Sequence, residues 1–93
     1  MTSQNKKDLK SIIDHYGTLS QVTMCIEEMS ELTKELCKYH RGRCSYNAVI
    51  EEVTDVLVTI EQVIMIFGFK KAELQRIIDN KIQRTLKRME PNQ

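Results

Sequence analysis

The chain has 93 residues, 41% of them apolar, and its 14 basic and 13 acidic side chains leave a formal net charge of +1. That length suits one domain, residues 1–93, with one core and no room for a second. The balanced charge argues against a general binder of nucleic acid polymers or acidic membranes, so neither is expected as a partner.

Gly17, Gly42 and Gly68 are the only glycines and Pro91 the only proline, and they divide the chain into four segments without a linker tract. Four helices follow. The first is expected from about Lys6 to Tyr16, closed by Gly17. The second should start at Thr18, whose hydroxyl and Gln21 three residues on have the form of a capping box. It continues through Val22, Cys25, Ile26, Met29, Leu32, Thr33 and Leu36, at the i, i+3, i+4, i+7 spacing of an amphipathic helix, and should stop near His40. A loop over residues 41–45 leads to the third, where Val49, Val53, Val56, Leu57, Ile60, Val63, Ile64 and Phe67 form a wide apolar arc expected to be the most buried element. Its β-branched residues favour a strand, but the spacing is helical and alternation is absent. A fourth helix, from about Lys70 to Met89, should turn Leu74, Ile77, Ile78, Ile82 and Leu86 or Met89 inward, with its basic last turns favouring the helix dipole. The fold expected is all-α, a four-helix bundle completed by homo-oligomerisation, because so small a domain leaves apolar stripes to bury between subunits.

Cys25, Cys37 and Cys44 have neither CxxC nor Cys/His zinc spacing and read as reduced thiols. The opening MTSQNKKDLKS lacks a signal-like apolar stretch, and the longest apolar run, residues 63–67, is too short for a bilayer. A soluble, cytoplasmic protein is expected.

The acidic residues carry the chemistry. At about 100° per residue, Glu28, Glu31 and Glu35 fall on the shoulder of the apolar face of the second helix, and Glu52 and Asp55 fall on the same shoulder of the third. The segments even read alike, Ile26-Glu27-Glu28-Met29-Ser30-Glu31-Leu32 against Ile50-Glu51-Glu52-Val53-Thr54-Asp55-Val56. A short loop between the helices favours antiparallel packing, which would set the pairs face to face across one seam. Such carboxylates repel unless a cation neutralises them, and an all-oxygen set suits a hard ion, Mg²⁺ or Mn²⁺, rather than zinc. Acids on a helix flank are usually solvated and paired with lysine at i+4. Glu31 and Glu35 have Lys34 and Lys38 nearby, but no basic residue lies between Val49 and Phe69.

These residues resemble the MazG-like members of the all-α nucleoside triphosphate pyrophosphohydrolases, whose signature is EExxE followed by ExxD on the next helix. Here it reads Glu27-Glu28-Met29-Ser30-Glu31 and Glu52-Val53-Thr54-Asp55. The resemblance implies Mg²⁺ ligation by Glu28, Glu31, Glu52 and Asp55. It implies hydrolysis of a nucleoside triphosphate between the α and β phosphates, and a homodimer or homotetramer with nucleotide pockets near subunit interfaces. Glu27 would support the site or orient the attacking water, and Glu27 or Glu31 would act as general base. On the fourth helix, Lys81, Arg84 and Arg88 are the expected phosphate-binding residues. The alternative is a helical assembly or nucleotide-sensing module that keeps the scaffold without turnover. Neither histidine follows an acid at the Glu-x-x-His spacing of di-iron bundles, and no P-loop is present.

Overall fold

A computed structural model describes residues 1–91. They form four helices and no strand: α1 (Ser3–Tyr16), α2 (Thr18–His40), α3 (Tyr46–Phe67) and α4 (Lys71–Arg88). The glycines end elements as their spacing predicts. Gly68 closes α3 at φ 70°, ψ 29°, in the left-handed region that a side chain would strain.

The caps depart from expectation at one place. Gly17, not Thr18, is the N-cap of α2, and no side chain caps that helix. Residues 17 and 18 leave no room for a separate capping turn, because Gly17 also closes α1. The capping box is instead at the start of α1. There the Asn5 N–H donates to the Thr2 hydroxyl and the Thr2 N–H to the Asn5 side chain, at 3.0 and 3.1 Å, so α1 begins three residues earlier than its apolar pattern suggests. Ser45 caps α3 through the Ala48 N–H.

α2 and α3 pack along their length as an antiparallel pair, with Gln21 and Gln62 lining one cleft at one level and Glu28 and Asp55 at another. α1 lies across both and buries Leu9. The centre of this three-helix unit is more polar than the apolar arcs imply: Leu9 and Cys25 are buried, and so are Gln21, Thr59, Glu61 and Gln62. On α3 the arc is half-buried at Val53, Val56, Val63 and Ile64 and open to solvent at Leu57, Ile60 and Phe67.

α4 packs against none of the other helices among the described residues. The expected inward face is therefore not buried within the protomer: Leu74 and Ile77 are half-covered, whereas Ile78, Ile82, Leu86 and Met89 are exposed. What fixes the root of α4 is an ion pair, Lys71 Nζ to the buried Glu61 carboxylate at 2.7 Å. The radius of gyration, 16.7 Å, exceeds the roughly 12 Å of a compact chain of this length because of that projecting helix. No helix of the described residues is long and apolar enough to cross a membrane.

Candidate metal centre

The antiparallel α2–α3 seam brings together the acids that the two matched segments place on the shoulders of their helices. Glu28, Glu52 and Asp55 each offer a carboxylate oxygen, and the three oxygens lie within 4.8 Å of one another. Glu28 and Glu52 are half-buried and Asp55 is exposed. Glu31 is exposed and outside this triad, yet near enough for its charge to act on both glutamates.

The electrostatics are those of uncompensated crowding. The Glu28 carboxyl is raised above its ordinary value, first by burial, then by the charges of Asp55 and Glu52, by a hydrogen bond that its protonated form gives Asp55, and by Glu31. Glu52 is raised as well, by burial and then by Asp55, Glu31, Glu35 and Glu51. Among the described residues none of Glu28, Glu31, Glu52 and Asp55 has an ion-pair partner; Lys38 on α2 is engaged by Glu35 at 3.6 Å. Glu52 Oε2 is shut off from solvent and meets no hydrogen-bond donor. A buried oxygen of this kind is costly unless something positive is held against it.

The residues fit a hard divalent cation. Oxygens sharing one Mg²⁺ at about 2.1 Å stand about 3 to 4.2 Å apart, so small side-chain rotations bring the triad to that spacing, and Glu52 Oε2 is a ligand atom without a competing bond. Glu28 and Asp55 also face a cleft of about 210 Å³ bounded by Leu9, Ile12, Met24, Val58 and Gln62. The wall supplied by α1 is not foreshadowed by any motif, since Leu9 and Ile12 carry only the helical apolar spacing.

The other expected site residues lie elsewhere. Glu27 is exposed, next to a separate cleft lined by Leu19, Ser20, Thr23 and Met24. Lys81, Arg84 and Arg88 are exposed on α4 and are not brought to the triad within the protomer. Glu35 was placed on the same shoulder of α2 by its spacing, and it adds to the charge felt by Glu52. Tyr16, Tyr39 and Tyr46 are 64 to 79% exposed. Compared with family models, with curated proteins and with solved structures, the chain matches none.

Proposed function

We propose that the chain is a MazG-like, Mg²⁺-dependent nucleoside triphosphate pyrophosphohydrolase, cleaving between the α and β phosphates to release a monophosphate and pyrophosphate, and that it works as a homodimer or homotetramer. The observation that carries this reading is Glu52 Oε2, unpartnered and closed to water in an acid cluster that no base among the described residues neutralises. Glu28, Glu52 and Asp55 would hold Mg²⁺, or Mn²⁺, with Glu31 completing the set. When bound, such an ion supplies positive charge against a triphosphate and acidifies nearby water.

The chain's own contribution is to bring three carboxylates together across two packed helices, with Glu31 beside them, and to screen one side with α1. Glu31, the exposed one of the two proposed ligands on α2, would accept the proton of an attacking water, with Glu27 supporting it from outside the triad. Lys81, Arg84 and Arg88 carry the charge to bind phosphates, and they meet substrate only where α4 is brought to a cluster by assembly. That same separation favours a second reading, a helical assembly or nucleotide-sensing module without turnover.

The deciding experiment measures pyrophosphate and monophosphate release from a panel of canonical and modified nucleoside triphosphates, with Mg²⁺ and then with EDTA. Mg²⁺-dependent release of both products is expected. Silence across the panel from a folded, Mg²⁺-loaded protein would remove the hydrolase and leave the module.

A further inference from the structure

We infer that α4 is an exchange arm: its apolar stripe packs on the exposed apolar face of α2–α3 in a second copy of this chain, reciprocally, and not on its own protomer. This goes beyond homo-oligomerisation as such, and it holds whether or not the acid cluster hydrolyses nucleotides.

Three observations carry it. The first is area. The protomer exposes 7652 Å², whereas a compact monomer of 10.9 kDa exposes about 5,600 Å². The excess of about 2,000 Å² is well above the roughly 800 Å² that each partner buries in a standard interface.

The second is that this chain exposes two apolar faces of complementary form. On α4, Ile78, Ile82, Leu86 and Met89 are 46 to 72% exposed and fall on one side of the helix. On the α2–α3 pair, Ile26 and Met29 from α2 and Ile50, Leu57 and Ile60 from α3 are 37 to 58% exposed. At about 100° per residue these five lie on the side turned away from the acid shoulder, so a helix seated there leaves the cluster open, and Lys81, Arg84 and Arg88 then reach a cluster only in a further copy, as in a homotetramer. Most helical stability in proteins comes from packing an amphipathic face, which this 18-residue helix lacks within its protomer; reciprocal exchange covers both faces at once and closes the assembly as a two-fold dimer.

The third is the root of α4. The left-handed Gly68 cap turns the chain away from α3, and Lys71 is tied to Glu61 at 2.7 Å. Together they direct the arm outward rather than back onto its own α2–α3.

α4 is also basic, with six lysines and arginines against Glu73 and Asp79, and a basic amphipathic helix can instead lie on an anionic membrane. The matching apolar face within the same chain favours the second copy.

The test uses the full chain carrying a photo-activated benzophenone residue at position 82, prepared in ¹⁴N and ¹⁵N forms that are unfolded together, refolded as a mixture and irradiated. Cross-linked peptides joining α4 of one isotope to α2 or α3 of the other are expected. In sedimentation, Ile78→Asp/Ile82→Asp and, independently, Leu57→Asp should each weaken self-association at least about a hundredfold, with the helicity of α1–α3 retained because residues 78 and 82 lie outside those helices and Leu57 is 57% exposed. Cross-links confined to one isotope overturn the exchange, as do hybrid cross-links between two α4 peptides. A wild-type monomer, with or without binding to phosphatidylserine vesicles, overturns it equally. None of these readouts uses nucleotide turnover, so failure of the hydrolase reading leaves them unchanged.

Discussion

α3 and α4 are helices of similar length, 22 and 18 residues, with apolar positions at the same helical period, yet one lies at the centre of the protomer and the other touches almost nothing. The period of a sequence says that a helix has an apolar face. It does not say whose face it meets. α3 is committed to α2 because the loop between them is only five residues long and their matched segments set polar and apolar positions level. α4 follows a left-handed turn and is held only at its root, so its stripe is left for another surface.

That contrast can be broken most sharply at the acid cluster. Glu52→Gln should lower Mg²⁺-dependent pyrophosphate release more than about a hundredfold, whereas Arg84→Ala on α4 should lower it by less, chiefly through KM, because it would remove only one of several charges proposed to bind phosphate. Steady-state kinetics of both variants check this, and equal losses in kcat would place the arginine among the cluster's own working groups.

Stability should divide along the same line. Leu9→Ala empties a buried site in the three-helix unit and should cost about 2–3 kcal/mol. Ile82→Ala should cost within about 0.5 kcal/mol in dilute protein and progressively more as concentration rises, since assembly then stabilises the intact arm. Urea unfolding at two protein concentrations measures both.

A smaller effect concerns pH. Glu28 and Glu52 are both raised above 4.5, so the folded chain keeps protons that the unfolded chain releases. Their contribution to the stability of the metal-free protein is therefore fully present below that ordinary value and is lost as pH rises through the raised folded values. The urea midpoint should fall as pH rises above the ordinary glutamate value without metal, fall less in Glu52→Gln, and be flattened by Mg²⁺. A Gln variant that tracks wild type throughout would show that the cluster is not its source.

The smallest test concerns the caps. Thr2→Ala should cost about 1 kcal/mol, while Thr18→Ala should leave thermal unfolding almost unchanged, since no side chain caps α2.

Much of this was legible from the residues. The glycines marked the helix boundaries, and the matched acid pairs, with no base from Val49 to Phe69, pointed to the seam where Glu28, Glu52 and Asp55 meet. Three features were not legible. The cap of α2 turned on Gly17 serving two helices at once. The burial of Glu61 depends on Lys71 reaching back across the α3–α4 turn, a contact between residues ten apart that neither helical period contains. The exposure of α4 is decided by tertiary direction, which an amphipathic pattern leaves open.

The buried polar layer of Gln21, Thr59 and Gln62 has a consequence for alignment. A seam lined only by leucine would tolerate sliding by one turn, about 5.4 Å, with little change in what is buried. Here such a slip would set the Gln21 and Gln62 amides against hydrocarbon and bring Glu52 level with Glu28, while the Thr59 hydroxyl keeps its bonds to Asp55 and Val56 of its own helix. Burying two amides in place of hydrocarbon gives up cohesion and makes one alignment of the seam, the one that sets Glu28 level with Asp55, cheaper than its neighbours.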